Sequence, residues 1–427
     1  MTSITETQGA ALPAPVPLWR QRNFRRFWAG QTISVFGDQV SLLALPLAAV
    51  LTLDASPGEM GLLTALGWLP HLLFSLFAGV WIDRQGRRRR IMIAADVGRA
   101  AILASVPVAA GLGGLAIGQL YAVTFLVGTL SVFFDLAYSS LFVAVVPRGQ
   151  VVDANSKLLT SRALSYVGGP GLAGFLVQAL TAPVAILADA ASFVGSALLL
   201  RTVDAEEPPV EPERDGETIR RRLREGFAFV FGDPYMRAGL GAFATINLFT
   251  FVFQALFVLF ATRELGLRPS LLGAALSAGA VGGVVGAVLA GRIGRGIGIG
   301  PAIMVGAVLF PGPLALVPLA GGPTPLVFGL VAAAEFLSAF GVMVLDVNGN
   351  SLNVLRTPHR IRARAAGTYR FVNYGVRPVG GLLGGALGAT VGLRPTLWIG
   401  VVGALLGLLF LVLSPVRALR EPPPEAV

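Results

Sequence analysis

The 427-residue sequence contains no cysteine and only two histidines, His71 and His359. The lack of cysteine excludes disulfides, zinc–thiolate sites and thiol nucleophiles. Two distant histidines also argue against a metal cluster and against the nucleophile–base pair of a hydrolase. We therefore expect a protein that is not an enzyme and that needs neither a metal nor any other cofactor.

Charge is also scarce. Only 13% of the residues are charged, whereas 54% are hydrophobic, and the mean hydropathy is +0.73. A soluble domain usually carries about 25% charge. The excess of apolar residues is too large for one aqueous core, so the composition predicts an integral membrane protein with the lipid bilayer as its partner.

Long apolar segments point the same way. A helix needs about 20 apolar residues to cross a bilayer. Twelve segments of the sequence meet this need, which predicts an all-α membrane protein with twelve transmembrane helices. The predicted spans are 27–52, 59–81, 91–111, 116–146, 160–180, 183–201, 238–262, 270–292, 300–320, 325–355, 364–391 and 394–415.

A charged, proline-containing segment in the middle divides the spans into two groups of six. Residues 219–231 within it have the pattern of a short amphipathic helix on the membrane surface. The predicted organisation is an N-terminal tail 1–26, a six-helix bundle 27–201, a linker 202–237, a second six-helix bundle 238–415 and a C-terminal tail 416–427.

Arginine placement predicts the orientation. The net charge is +10, and Lys157 is the only lysine among 33 basic residues. Most arginines fall in the tails, the linker and alternate loops. Because basic loops stay in the cytoplasm, we expect both termini inside a bacterial-type plasma (inner) membrane. The same asymmetry explains the basic composition without a nucleic-acid partner.

The two halves repeat each other weakly. With a shift of 211 residues, 125–147 lies over 336–358 without a gap, and Asp135 meets Asp346. Two six-helix halves related by an axis along the membrane normal are a known transporter pattern. The repeat therefore favours two pseudo-symmetric bundles.

Acids inside the spans are functional candidates because charge is costly in a membrane. Asp38 lies 11 residues past Phe27, about 16 Å along a helix and near the middle of the bilayer. It either carries a proton or binds a cationic substrate, or it is a structural carboxylate bonded by neighbours such as Gln39. Glu335, 10 residues into the tenth span, is a second candidate for proton coupling or substrate binding.

Three further charges lie in the spans. Asp135 and Asp346 are deeper toward the cytoplasm, where they either line the inner cavity or form matched contacts between the halves. Arg377 in the eleventh span either pairs with a carboxylate or binds an anionic substrate.

The segment GVWIDRQGRR, 79–88, resembles the loop between the second and third spans of the major facilitator superfamily. The matching residues are Gly79, Asp83, Arg84, Gly86, Arg87 and Arg88. The resemblance implies that Asp83 faces the N-terminus of the eleventh helix and latches the cytoplasmic side shut. The alternative is that the arginines only anchor the loop at the lipid phosphates.

Other segments are similar to the exporter branch of that family, which includes enterobactin exporters and macrolide-efflux proteins. In GGPGLAG, Gly169, Pro170, Ala173 and Gly174 resemble the Gly-Pro-x-x-Gly-Gly motif of family antiporters, with Ala173 in place of a glycine. The fourth span has no arginine, so a proton relay through such a residue does not carry over.

The resemblance implies a monomeric secondary exporter that moves a small amphipathic molecule by alternating access in exchange for protons. The substrate would be a drug, a siderophore or another natural product. No nucleotide-binding P-loop is present, so ATP is not the direct driver. Two alternatives stay open: a transporter of lipid-like substrates or a uniporter without proton coupling, and a transport-inactive receptor or scaffold.

Overall fold

A computed structural model describes residues 17–204 and 219–420, without the side chains of 76, 77, 79, 80, 83, 84, 219, 220, 222 and 223. Most of the N-terminal tail, the first part of the linker and the last residues of the C-terminal tail lie outside this range. The described residues form helices and short connections and include no strand. The first six helices are α1 Arg22–Thr52, α2 Pro57–Gln85, α3 Arg88–Gly111, α4 Ile117–Val145, α5 Val151–Ala179 and α6 Ala182–Arg201.

Two of the later spans are interrupted. The ninth consists of two helices joined by a 3-10 turn, and the twelfth consists of two consecutive helices. The remaining helices are α7 Ile219–Gly232, α8 Pro234–Arg263, α9 Pro269–Ile297, α10 Ile299–Leu309, α11 Leu316–Leu319, α12 Thr324–Arg356, α13 Arg362–Thr390, α14 Leu393–Leu405 and α15 Gly407–Val412.

Within the described ranges, nine segments are both long and apolar enough to cross a membrane. Three more helices of 29 residues each, α2, α5 and α13, complete the twelve predicted spans. α5 and α13 are less apolar because each carries basic residues along its length. The domain limits drawn around these spans stay a prediction.

Capping residues set the helix limits. Ser56 and Glu59 form a capping box at the start of α2, in which the Ser56 N–H donates to Glu59 Oε2 at 2.7 Å. Asp233 caps α8 by accepting from the N–H groups of Tyr235 and Met236 at 3.0 and 3.1 Å. α8 therefore begins at Pro234, four residues before the predicted seventh span.

We call the end of the bundle at which α1, α3 and α5 begin the basic end, and the opposite end the far end. Within the halves, α1 packs on α5 and α6, α3 on α4 and α6, and α9 on α12. Between the halves, α2 packs on α13 and α5 packs on α9. These two pairs frame the space between the bundles.

α7 is the helix expected over 219–231, and it packs on the basic end of the second half. Gly226 lies against the Arg364 carbonyl, and Phe227 meets Phe371 edge-on with ring centres 6.3 Å apart. Glu225 forms an ion pair with Arg364. The amphipathic helix is thus fixed to α13 by both apolar and charged contacts.

Candidate functional site

A cavity of about 490 Å³ lies between the two halves. Helices α1, α2, α4 and α5 form one wall, and α8, α9 and α12 form most of the other. The lining is mainly apolar and aromatic. Its most prominent side chains are Trp68, His71, Phe251, Phe253, Phe257 and Glu335.

Glu335 is the one carboxylate among the described residues that line this central cavity. It lies on α12 where that helix meets α9. Gly279 on α9 makes this approach possible, because a Cβ there would lie 3.1 Å from the Cβ of Glu335. Of the predicted acids, Glu335 is the one that the fold places at the centre between the halves.

Asp38 and Asp135 lie together in a separate pocket of about 240 Å³ within the first half. Arg99 and Arg162 also line this polar pocket. The sequence drew attention to both acids but not to Arg162, which belongs to another helix. The one feature of the sequence that could have identified Arg162 is its position near the start of the fifth predicted span, where a charge is costly.

Gln39 lines both the central cavity and the polar pocket. Asp38 precedes it on α1 and faces the pocket, so the two spaces lie on either side of the Gln39 side chain. Asp38 lies near the middle of α1, Arg22–Thr52, as the sequence predicted. Whether Asp38 acts in coupling stays a prediction.

A buried ion pair lies beside the polar pocket. Arg99 binds Asp96 one turn earlier on α3, and both side chains are fully buried. The rings of Phe134 and Phe193 cover the guanidinium of Arg99, with centres 4.4 and 4.0 Å from its Cζ. Asp189 of α6, also buried, accepts from the Ser192 hydroxyl at 3.1 Å.

Asp346 and Arg377 do not repeat the arrangement around Asp135. Both belong to the second half, and Asp346 is exposed. Its charge acts on Arg377, but the two do not come within ion-pair distance in the described structure. The Cζ of Arg377 instead lies 4.1 Å from the centre of the Trp68 ring on α2. The two aspartates that align in sequence therefore have different partners.

The loop motif is described only in part. Gly86 ends α2 in the left-handed conformation, with φ of 62°, and its N–H donates to the Ile82 carbonyl. Arg87 is exposed, whereas Arg88 interacts with another residue of the protein. The surroundings of Gly79 and the side chains of Asp83 and Arg84 lie outside what the structure describes, so the latch stays a prediction.

The antiporter-like motif lies where α5 meets α1 and α9. Gly169 packs against the Gln39 side chain, and Pro170 lines the central cavity. Ala173 is fully buried. Gly174 lies so close to α9 that a Cβ on it would be 3.1 Å from the Cα of Gly273. The small residues thus bring two backbones of different halves into contact.

Polar contacts join the halves at the far end. The Gly171 N–H donates to Ser277 Oγ at 3.0 Å, and the Ser270 N–H donates to Gln178 Oε1 at 3.2 Å. An ion pair between Asp54 and Arg263 links the ends of α1 and α8. Together with the two helix pairs, these contacts close the far end of the central cavity.

A family model described as Major Facilitator Superfamily matches residues 27–374. The chain is 28% identical to the multidrug efflux pump Tap of Mycolicibacterium fortuitum, covering 84% of this chain and 88% of the relative. It is 27% identical to Tap of Mycobacterium tuberculosis strain H37Rv, covering 84% and 85%. It is also 25% identical to the uncharacterized transporter YfiS of Bacillus subtilis, covering 90% and 89%.

Solved structures share the fold. A mutant of the nucleoside transporter NupG aligns with a TM-score of 0.74 at 12% identity, covering 91% of this chain and 99% of the other. A bacterial homologue of the iron transporter ferroportin aligns with a TM-score of 0.72 at 17% identity, covering 92% and 98%. The predicted fold class, with twelve transmembrane helices in two six-helix bundles, is confirmed.

Proposed function

The chain belongs to the Major Facilitator Superfamily, and we propose that this membrane transporter exports small amphipathic molecules by alternating access in exchange for protons. The efflux pumps named Tap, which it resembles over most of its length, support the direction of transport. The proposal also covers the orientation, with the basic end in the cytoplasm.

The observation that carries this proposal is the central cavity. Its volume of about 490 Å³ suits a drug-sized molecule, for which sites of about 300–1,000 Å³ are usual. Its walls come from both halves, so rocking the halves would expose it to either side. Aromatic walls with one carboxylate favour a substrate that is apolar over most of its surface.

The state of the structure is one that an exporter needs. The far end is closed by the α2–α13 and α5–α9 contacts. Asp135 and Asp346, nearer the basic end, are exposed. Acids within spans face water-filled spaces or partners and avoid lipid. With the basic end in the cytoplasm, this is the state in which an exporter would load its substrate from inside the cell.

For proton coupling, Glu335 is the acid we place first. It lines the substrate cavity, and in the described structure it makes no ion pair. In the proposed exchange, proton and substrate use the cavity in turn, and Glu335 releases its proton to the cytoplasm before the halves rock outward with the substrate. Asp38, beside two arginines, comes second.

A uniporter is the competing function, because Asp38 and Asp135 share their pocket with the opposite charges of Arg99 and Arg162. Inverted membrane vesicles with an acidic interior separate the two functions. We expect at least one amphipathic drug, from a panel of cationic, neutral and anionic compounds, to accumulate in them and to release protons, which a pH-sensitive dye follows. Glu335→Gln should abolish proton release, whereas Glu264→Gln, an exposed far-end residue, should not.

Accumulation of the drug without proton release would contradict antiport and favour the uniporter. Asp38→Asn should reduce coupling if that acid shares the proton, and it should leave coupling intact if the arginines hold it charged. No accumulation of any drug, with a correctly folded protein, would contradict the exporter and favour the scaffold alternative.

A further inference from the structure

Arg377 lies in an aromatic cage beside the central cavity, next to two residues of its lining, Trp68 and Phe251. Its Cζ is 4.1 Å from the centre of the Trp68 ring, 4.9 Å from that of Tyr374 and 5.2 Å from that of Phe251. The three rings come from α2, α13 and α8, so both halves contribute. Trp68 and Phe251 also line the cavity.

The guanidinium lies over the three rings, which accept no conventional hydrogen bond from its N–H donors. A cation–π contact uses the face of the ring, whereas the five N–H donors of arginine point outward in the guanidinium plane. Arg377 Nε is buried and has no hydrogen-bond partner among the described residues. A buried donor without an acceptor is unusual in a folded protein.

Other unpaired polar atoms lie on the wall of the cavity itself. His71 Nδ1 is buried without a partner in the described part of the chain, and its ring is 5.9 Å from that of Tyr374. The hydroxyls of Thr124, beside Gly67, and of Thr250, beside Phe251, are also unpaired there. The histidine and the two threonines thus need partners that the described protein does not supply.

The protein offers Arg377 no bound counter-ion. Asp346 is close enough for its charge to attract Arg377, but no ion pair forms between them in the described ranges. Tyr374 and His71 are the other titratable groups that interact electrostatically with Arg377. In the described structure the positive charge therefore lies beside the cavity with an unpaired Nε and no carboxylate in ion-pair contact.

We propose that Arg377 anchors an anionic group of the substrate. The substrate is then an amphipathic organic anion, whose carboxylate or other oxyanion accepts a two-point hydrogen bond from the guanidinium. The cage holds the guanidinium plane in place before the anion arrives. The apolar body of the substrate fills the aromatic cavity. The identity of the cavity as the substrate site rests on the proposed function.

Two dyes with a shared xanthene core test the anchor. Fluorescein carries a carboxylate, and rhodamine 6G is a cation. Their binding to the purified full-length protein in nanodiscs, without any ion gradient, is followed by fluorescence polarisation. We expect Arg377→Gln to weaken fluorescein binding about tenfold or more, the usual effect of losing a charge-assisted pair. Rhodamine 6G binding should not weaken.

Two variants serve as controls. Arg370→Gln removes an exposed arginine two turns earlier on α13 and should leave both dyes unaffected. Arg377→Lys keeps the charge but loses the planar edge, so it should restore fluorescein binding only in part. It also tests whether the position tolerates a smaller side chain without collapse of the cage.

Three results would overturn the anchor. Fluorescein could bind Arg377→Gln as tightly as the parent, it could fail to bind a parent that binds rhodamine 6G, or both dyes could weaken equally in the Gln and Lys variants. Failure of the exporter would be recognised separately. Anion binding that depends on Arg377, without drug accumulation in vesicles, would reject export and leave the anchor standing.

Discussion

Thr64 and Gly381 face each other across the two halves. Thr64 belongs to α2, and a Cβ placed on Gly381 of α13 would lie 3.3 Å from the Thr64 Cβ. Disulfides need Cβ atoms about 3.5–4.5 Å apart, so a small adjustment would suffice to join cysteines at these positions. Because the chain has no cysteine of its own, an introduced pair would report without background.

The first prediction is that the Thr64→Cys/Gly381→Cys variant forms a disulfide under mild oxidation and stops transport. The bond would hold the far end closed, so the substrate could not leave. Transport should return when the bond is reduced. The two single variants control for crowding at Gly381.

A second cysteine pair controls for oxidation itself. Gly283 of α9 and Ala339 of α12 belong to the same half, and a Cβ on Gly283 would lie 3.9 Å from that of Ala339. This pair should cross-link equally well and leave transport unchanged. Loss of transport in both oxidised variants would contradict the assignment of α2 and α13 to separate moving halves.

The second prediction concerns the close approach of α5 and α9. Gly174→Ala would place a Cβ 3.0 Å from the Pro269 carbonyl carbon and 3.1 Å from the Gly273 Cα. Backbone atoms cannot move aside as a flexible side chain can. We expect a loss of stability of about 1–3 kcal/mol and slower transport, measured by thermal unfolding and vesicle uptake.

Gly168→Ala is the matched control on α5. Its nearest neighbour would be Phe36 Cε1 at 3.7 Å, which is ordinary contact. This variant should change the free energy of unfolding by less than about 0.5 kcal/mol. Equal effects of the two substitutions would show that helix propensity, and not the contact with α9, determines the result.

The third prediction concerns the ion pair between Asp96 and Arg99. Arg99→Met would leave a carboxylate buried without its partner, so we expect a loss of about 3–5 kcal/mol in the free energy of unfolding. Replacing both residues, as in Asp96→Leu/Arg99→Met, should recover much of that loss because no charge stays buried. Chemical unfolding in mild detergent measures both effects.

The exposed pair of Lys157 and Asp153 provides the comparison. Their side chains are 30% and 56% exposed, with Nζ and Oδ1 3.2 Å apart. Lys157→Met should cost about 0.5 kcal/mol or less, since water screens such pairs. A similar cost for Lys157→Met and Arg99→Met would mean that burial does not strengthen the pair on α3.

The fourth prediction is a pH dependence at α7. A hydrogen bond from Arg221, together with the charge of Arg364, lowers the pKa of the Glu225 carboxyl below its usual value. A lowered pKa means that the attraction of Glu225 to Arg221 and Arg364 is at full strength above the ordinary pKa of glutamate. The contact is lost as the pH falls through the lower value.

Spin labels can measure this dependence. Cysteines introduced at the exposed positions Arg224 on α7 and Arg370 on α13 would carry the labels. We expect a narrow distance distribution near neutral pH that broadens in strong acid. With Glu225→Gln added, the distribution should be broad at every pH. A parent distribution that does not change in acid would contradict the role of Glu225 in holding α7.

Hydropathy and arginine placement were sufficient to predict the twelve spans, because a helix that crosses lipid must be long and apolar whatever its neighbours are. The loop motif and the glycines of the fifth span then indicated the family. The helix of the seventh span begins four residues before the predicted span. The cap at Asp233 caused this, since its hydrogen bonds extend α8 past the apolar segment.

The sites were harder to predict because they depend on which faces of different helices meet. Asp38 was recognised as a charge at mid-span, but its neighbour Arg162 lies on α5, far along the chain. The aromatic cage of Arg377 joins α2, α8 and α13. Nothing in the local pattern around Trp68 or Phe251 distinguishes them from rings that face lipid.

Gly169 and Gln39 carry a consequence for the tightness of coupling. A Cβ on Gly169 would lie 2.5 Å from the Cβ of Gln39, so only glycine leaves room for that side chain. Gln39 in turn is the partition between the central cavity and the pocket of Asp38. The barrier between the central cavity and the pocket of Asp38 is therefore one side chain thick at this point. A residue that pushed Gln39 aside would open a leak, through which ions could cross without cargo.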